Sequence, residues 1–484
     1  MNKSRLYFFL GGMALLAGLL AVSQVLASPL KEETVSFGRF GTVHLYYQSP
    51  RPACVVLLIS GDGGWKLGVV DMARSLARLD ALVAGIDIRA YFTELAKGGG
   101  ACSYPAGDFE ELSKFIQKKQ DLPSYMPPVL MGYSSGATLV YAALVQAPSN
   151  AFLGGYSLGF CPDLVLSRPF CRGSGLEWDM GQKPNQYIFR PAPTLEVPWV
   201  VIQGDADKVC DPKATAAFVK QIKSGRLIAL PGVGHGFAVQ KNWMPQFVEA
   251  LHSLISAKKA EPETPVPSLT DLPLIEIPAQ APGKPWLAIH LTGDGGWGVT
   301  DKGISRELSR QGIFVAALNS LKYFWTRRTP DEAAHDLERI LRHFLASRQD
   351  QSAVLIGYSF GADVLPFMVN RLSADMRSRV RLIVLLGPSE SAVFEFHLTD
   401  WLGVFHRGDT LPVLPELERL KDIRLLCFSG EKDKHTICGR ILGDSANVKS
   451  ISLRTGHRFG RNFSPIARAI LEEVELLSRP RNEL

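Results

Sequence analysis

The chain has 484 residues, 46% hydrophobic and 21% charged, with 53 Lys+Arg against 47 Asp+Glu. That balance excludes a largely disordered chain, and a net charge of +6 without a lysine/arginine block points away from nucleic acid. Past the first thirty residues no apolar run is long enough to span a bilayer, which excludes a multi-pass membrane protein.

In chain order, Lys3 and Arg5 form a short positive region ahead of the almost wholly apolar stretch 7–22. Val25-Leu26-Ala27 then offers small residues at the −3 and −1 positions of a cleavage site. Residues 1–27 therefore read as a secretory signal peptide, cleaved after Ala27. An uncleaved anchor over 6–30 is the alternative, because that stretch carries no charge. Either way the bulk of the chain is exported, and its seven cysteines can oxidise. Cys161 and Cys171 lie ten residues apart and Cys427 and Cys438 eleven, spans that a bridge could close. The odd number leaves at least one free thiol. Cys54, heading an apolar run, is the expected buried one. No CxxC is present, so neither zinc nor thioredoxin-type chemistry is expected.

The run Val55 to Ser60 leads into Gly61-Asp62-Gly63-Gly64-Trp65. Tyr91-Phe92, Gly132-Tyr133-Ser134-Ser135-Gly136-Ala137, Gly204-Asp205-Ala206-Asp207 and Gly234-His235 follow. Seven prolines then fall within residues 262–285, a density that suits neither helix nor central strand. Beyond them, apolar runs at 287–291, 314–318, 353–356, 382–386, 423–428 and 450–453 predict strands. Amphipathic segments at 303–311, 330–347, 362–372 and 464–478 predict helices. Continuous apolar strands alternating with helices predict a mostly parallel sheet with helices on both faces.

The second half repeats the first. Gly293-Asp294-Gly295-Gly296-Trp297 and Tyr323-Phe324 lie 232 residues after their counterparts. Gly357-Tyr358-Ser359-Phe360-Gly361-Ala362 lies 225 later, Gly430-Glu431-Lys432-Asp433 226 later and Gly456-His457 222 later. Five matches in one order at nearly constant offset imply duplication. The expected organisation is an N-terminal domain over 35–258, a Pro-rich linker over 259–285 and a C-terminal domain over 286–480.

Gly357-Tyr358-Ser359-Phe360-Gly361 is G-x-S-x-G between a predicted strand and a predicted helix. That context is a nucleophile elbow. A hydroxyl needs a base near neutral pH. The order Ser359, Asp433, His457 is that of the α/β-hydrolase fold, with Ser359 as nucleophile, His457 as general base then acid, and Asp433 orienting the imidazolium. Glu431 is the rival acid; Asp433 is preferred because the first half places Asp207 at the same spot. The fold class is thus α/β, two tandem α/β-hydrolase-like domains. The amides of Phe360 and Gly295 are the expected oxyanion donors. Asp294 stands where such loops more usually carry histidine. Ser134, Asp207 and His235 form a possible second triad, or a fossil elbow kept for the fold. Lys322, Tyr323, Phe324 and Trp325, with Arg327 and Arg328, could hold a lipid tail and a phosphate, or simply pack as a loop. Arg458 and Arg461 flank His457 and could meet an anionic head group or solvent. Asp363 suits the dipole at a helix start. His335, His343, His397, His406 and His435 lack ligand spacing. No cofactor fingerprint is present, and no metal site is expected.

Three motifs together resemble the bacterial virulence protein family VirJ/AcvB. They are the Gly293–Trp297 loop, Leu321-Lys322-Tyr323-Phe324-Trp325, and Gly357-Tyr358-Ser359-Phe360-Gly361-Ala362-Asp363-Val364-Leu365-Pro366. The VirJ-like part covers the second half; AcvB-like members add an N-terminal half, and this chain has that length. The resemblance implies a periplasmic protein of α/β-hydrolase type, linked to type IV secretion, virulence and acid tolerance. It implies hydrolysis of lysyl-phosphatidylglycerol, an aminoacylated phospholipid at the membrane surface, with the nucleophile on Ser359 and its partners on Asp433 and His457. Type IV secretion components are the other implied partners, and a non-catalytic hydrolase-fold adaptor is the alternative reading.

Overall fold

The apolar runs assemble into two separate sheets in a computed structural model that describes residues 29–148, 151–260, 269–348, 352–396, 410–441, 447–460 and 462–479. The expected signal peptide, residues 261–268 of the Pro-rich stretch, His397, His406 and Arg461 lie outside the described residues.

The first half opens with β1 (Lys31–Phe37), β2 (Gly41–Tyr47), β3 (Cys54–Ile59), α1 (Gly68–Arg78), β4 (Ala81–Ile86), α2 (Ile88–Lys97) and α3 (Pro105–Lys119). It continues through β5 (Val129–Tyr133), α4 (Ser135–Gln146), β6 (Gly154–Leu158), and a small antiparallel sheet of β7 (Asp163–Val165), β8 (Trp178–Met180) and β9 (Gln186–Phe189). β10 (Trp199–Gly204), α5 (Pro212–Val219), β11 (Gly225–Leu230) and α6 (Met244–Ala260) complete it. The main sheet runs β1-β2-β4-β3-β5-β6-β10-β11. β1, β2 and β4 pair antiparallel and every other neighbour is parallel.

The second half comprises β12 (Leu274–Ile277), β13 (Trp286–Leu291), α7 (Val299–Arg310), β14 (Phe314–Leu318), α8 (Ser320–Tyr323), α9 (Pro330–Arg348), β15 (Ser352–Tyr358) and α10 (Phe360–Asn370). Then come α11 (Ala374–Arg379), β16 (Val380–Leu386), the short pair β17 (Ser391–Ala392) and β18 (Leu411–Pro412), α12 (Val413–Glu418), β19 (Arg424–Gly430), β20 (Val448–Leu453) and α13 (Ser464–Ser478). Its sheet runs β12-β14-β13-β15-β16-β19-β20, parallel except for β12.

Both β3 and β13 are buried along their whole length. In β3, Val55, Leu57 and Ile59 join one core, whereas Cys54, Val56 and Leu58 join another. The period of two splits one apolar run between two helix-covered faces, which is why the strand reads as continuously hydrophobic. Both halves therefore have the α/β-hydrolase-like architecture.

Two expectations need correction. The second sheet starts before residue 286: Leu269 and Leu272 are buried in its core, and β12 pairs antiparallel with β14 from Leu274↔Leu318 to Ile277↔Val315. An edge strand uses one side of its ladder, so the bracketing Pro273 and Pro278 are tolerated. The disulfides are Cys102–Cys171, Cys161–Cys210 and Cys427–Cys438, so the suggested Cys161–Cys171 bridge does not form. Spacing along the chain could not see that β10 brings Cys210 back beside Cys161. Cys54 is free and buried, and burial pushes its thiol up to about 12.

The halves touch through α8 and the segment that follows it. Trp325 Nε1 donates to the Leu122 carbonyl at 2.7 Å, and Lys118 pairs with Glu395 at 3.3 Å. Tyr125, Leu321, Trp325 and Phe396 form a small apolar cluster across the boundary.

Candidate active sites

Each half bends sharply between strand and helix. Ser134, between β5 and α4, has φ 56°, and Ser359, between β15 and α10, has φ 51°. Side chains rarely adopt that region, and the surrounding sterics enforce it. A Cβ on Gly132 would lie 2.1 Å from the Gly136 carbonyl oxygen, and one on Gly357 2.5 Å from that of Gly361. A Cβ on Gly361 would lie 2.3 Å from the Leu291 carbonyl oxygen. Both flanking glycines of G-x-S-x-G are therefore steric requirements.

The serines meet their partners at the carboxyl ends of the parallel strands. In the second half His457 Nε2 lies 2.9 Å from Ser359 Oγ, and His457 Nδ1 lies 2.6 Å from Asp433 Oδ2. Glu431, the rival acid, is exposed and makes neither contact. In the first half His235 Nε2 lies 2.9 Å from Ser134 Oγ and Nδ1 2.8 Å from Asp207 Oδ2. Both sequence-predicted trios are thus brought together. Asp207 also accepts from the Val209 and Cys210 amides and from Gln203 Nε2. Burial pushes its carboxyl up, but the Cys210 amide, His235 and the Val209 amide outweigh burial and hold it below the ordinary range. Asp207, Cys210 and His235 lie close enough to share an ion. The Cys210 sulfur is bonded to Cys161, so it is no thiolate and the donor set suits a metal poorly.

The amide of Phe360 opens α10 and has no carbonyl one turn back to bond, so it is placed as an anion donor beside Ser359. Gly295 departs from expectation. Its amide donates to its neighbour's carboxylate, Asp294 Oδ1, at 3.0 Å. A short aspartate side chain competes for local backbone donors, which the motif alone does not reveal.

The Lys322–Trp325 stretch also needs correction. Tyr323, Phe324 and Trp325 are buried, not presented to a lipid tail. Tyr323 donates to Asp336 at 2.6 Å, Phe324 packs on Phe360 and Phe394, and Trp325 anchors the first half. Three adjacent aromatics gain most by burial, and neighbouring core was available on both sides. Lys322 lines a cavity between the halves, and Arg458 lines a second one beside it. Asp363, expected as a helix cap, accepts from the Ser389 amide at 2.6 Å and its hydroxyl at 2.8 Å. Burial raises its carboxyl to about 7 against those hydrogen bonds.

Sequence reasoning missed a buried group beneath the Gly293–Trp297 loop. Asp301 accepts from the Gly298 amide at 3.1 Å and the Gly293 amide at 3.3 Å. His290 Nε2 lies 3.3 Å from the same carboxylate, and His290 Nδ1 lies 3.0 Å from Ser305 Oγ. The available signal was a histidine inside an otherwise apolar strand.

Among the described residues no helix is long and apolar enough to cross a membrane. Among curated proteins none matches the chain. Solved structures similar to it include the esterase domain of a Rhodothermus marinus protein, at 14% identity and TM-score 0.32, covering 46% of this chain and 97% of that one. Est1E from Butyrivibrio proteoclasticus shares 12% identity at TM-score 0.33, covering 47% and 99%. XC6422 from Xanthomonas campestris, described as an a/b serine hydrolase without lid, shares 20% identity at TM-score 0.30, covering 49% and 97%. The family described as bacterial virulence protein (VirJ) matches residues 53–151 and 286–477, on both sides of the Pro-rich stretch, and the chain belongs to that family.

Proposed function

We propose that the chain is a periplasmic serine esterase that hydrolyses the aminoacyl ester of lysyl-phosphatidylglycerol, with Ser359 as nucleophile. The observation that carries this reading is the continuous chain Ser359–His457–Asp433, at 2.9 and 2.6 Å, hung on a positive-φ elbow. Three disulfides support an oxidising compartment. The lysyl substrate comes from the family resemblance.

In this mechanism His457 Nε2 takes the Ser359 proton as Oγ attacks the ester carbonyl. Asp433 holds the Nδ1–H tautomer and stabilises the imidazolium. The oxygen of the tetrahedral intermediate takes a hydrogen bond from the Phe360 amide. The bond from the carbonyl carbon to the glycerol oxygen then breaks, and His457 gives its proton to that oxygen so that phosphatidylglycerol leaves with a free hydroxyl. Water, deprotonated by the same ring, cleaves the aminoacyl-serine ester and releases lysine.

The test is release of free lysine from lysyl-phosphatidylglycerol vesicles by purified protein. Loss in Ser359→Ala supports the assignment; loss in Ser134→Ala alone moves it to the first half. No release by the wild type leaves the adaptor of secretion components as the reading to pursue.

A further inference from the structure

The first half's trio carries more support than a relic of the fold requires. The fold asks only for the two glycines of its elbow. A Cβ on Gly132 would meet the Gly136 carbonyl oxygen at 2.1 Å, and one on Gly136 the Ser60 carbonyl oxygen at 2.5 Å. That demand calls for no histidine on the serine and no carboxylate behind it. Yet His235 sits between Ser134 and Asp207, at 2.9 and 2.8 Å. Four donors converge on the buried Asp207 carboxylate: the Val209 and Cys210 amides, Gln203 Nε2 and His235 Nδ1. Among the described residues Asp433 is met by two, the His435 amide and His457 Nδ1. The Cys161–Cys210 bridge also ties the Asp207 loop to the segment after β6. A buried polar network this complete fixes one orientation of the imidazole.

Donors for an oxyanion are also free there. The Ser135 amide opens α4 and has no partner among the described residues. The glycine loop starts against the nucleophile, since a Cβ on Gly61 would lie 2.9 Å from Ser134 Cβ. The next two amides, of Asp62 and Gly63, have no partner among the described residues either. Gly295, the counterpart of Gly63, gives its amide to Asp294 instead. The loops that carry the site also present aliphatic side chains to solvent. Leu67, 79% exposed, follows the glycine loop; Val209, 67%, lies on the Asp207 loop; Val239, 48%, follows His235. Val69, Phe237 and Trp243 share one core, which brings the start of α1 beside the histidine loop. One exposed aliphatic is ordinary, but three on the loops around one nucleophile offer an apolar chain a surface to cover. The places at the same offsets in the second half hold Val299, His435 and Arg461.

We propose that Ser134, His235 and Asp207 form a second acyl-transfer centre, which hydrolyses esters of uncharged aliphatic acids held against Leu67, Val209 and Val239. This goes beyond the reading of Ser359 and does not depend on it; the chain then carries two esterase centres that take different acyl groups. His235 Nε2 takes the Ser134 proton as Oγ bonds to the ester carbonyl carbon, and the carbonyl oxygen, now an anion, accepts from the Ser135 amide. The bond to the alcohol oxygen breaks, and that oxygen leaves with the proton from His235. Water then adds to the acyl-serine carbonyl and gives a proton to His235 Nε2. The bond to Ser134 Oγ breaks as the ring returns that proton, releasing the carboxylic acid and the free serine. An aliphatic chain laid on the rim removes apolar surface from water and a charged acyl group does not, which sets the preference.

Two measurements on the full chain test this. The first is hydrolysis of p-nitrophenyl octanoate and p-nitrophenyl acetate by wild type, Ser359→Ala and Ser134→Ala. Octanoate hydrolysis should persist in Ser359→Ala and fall about a thousandfold in Ser134→Ala. The octanoate-to-acetate preference in kcat/KM should fall about fivefold in Leu67→Ser and in Val239→Ser. No octanoate hydrolysis by the wild type, or hydrolysis unchanged in Ser134→Ala, overturns the proposal; a preference unchanged in both rim variants overturns its acyl class. The second measurement labels the same proteins with an alkyl fluorophosphonate, whose phosphorus bonds to an activated serine oxygen as fluoride leaves, and reads intact mass. Ser359→Ala should still take a phosphonyl group, and the double variant with Ser134→Ala should take none. An unlabelled Ser359→Ala overturns the proposal. Octanoate hydrolysis through Ser134 without release of lysine from lysyl-phosphatidylglycerol overturns the reading of Ser359 alone.

Discussion

The two halves hold nearly the same Ser-His-Asp geometry on differently built supports. Each histidine lies 2.9 Å from its serine, yet the His235 side chain is 16% exposed and that of His457 43%. Behind the glycine loop the second half buries His290, Asp301 and Ser305, with Asp301 capping the start of α7. The positions 232 residues earlier hold Leu58, Val69 and Ala73, all buried. With no side-chain cap available, α1 starts from Leu67 at φ 54°, a conformation that costs about 1–3 kcal/mol. The first half instead fixes its loop from the other side, where Asp87 accepts from the Trp65 amide at 3.0 Å. Duplication preserved the elbow because sterics demand it. It left the bracing of the loop free to diverge, because either a buried carboxylate or an apolar plug fills that space.

The comparison breaks most directly at the nucleophiles. Ser359→Ala should lower ester hydrolysis by about a thousandfold or more, and steady-state kinetics beside Ser134→Ala will show whether the first elbow contributes. Next is the scaffold. Cys161→Ser opens a loop with a sequence separation of 49 residues and should cost about 4 kcal/mol, whereas Cys427→Ser opens one of 11 and should cost about 3 kcal/mol. Chemical unfolding of the two variants would read the difference, and equal losses would contradict the loop-length account.

A comparable effect is expected at Asp301→Leu, which strands His290 and two backbone amides. A loss of about 3 kcal/mol is expected, against about 1 kcal/mol for Val69→Ala at the matching position. Thermal unfolding with a slope analysis would separate them. The smallest effect concerns pH. Asp363 titrates at about 7 in the folded chain, above its unfolded value near 4. Its contribution favours the fold below about pH 4, fades as pH rises towards 7 and is flat beyond. Asp363→Asn should therefore flatten stability between pH 4 and 7. Thr138 holds this place in the first half and donates to the Cys161 carbonyl at 2.6 Å, so no such slope arises there.

Local patterns carried the architecture. Buried parallel strands read as unbroken apolar runs, the elbow needs two glycines around one serine, and a duplicated chain repeats its loops in order. These are short-range constraints, so Ser134, Asp207 and His235, and Ser359, Asp433 and His457, were legible from spacing and order alone. The errors share one cause. Trp325 looked like a substrate contact because the sequence cannot show that Leu122, two hundred residues earlier, supplies its hydrogen-bond acceptor. Gly295 looked like an open donor because a motif does not show where the side chain of Asp294 turns. Cys161 was matched with its neighbour in sequence, but β10 delivered Cys210. The sequence by itself determined the two hydrolase-like units and their elbow serines, since each follows from local sterics and the period of burial, and the order of motifs marked the aspartates and histidines that meet them. Only the tertiary structure decided which polar groups find partners across the fold, and that Trp325 and Lys118 join the two halves. Such contacts depend on how two independently folded surfaces meet, and no local pattern encodes that.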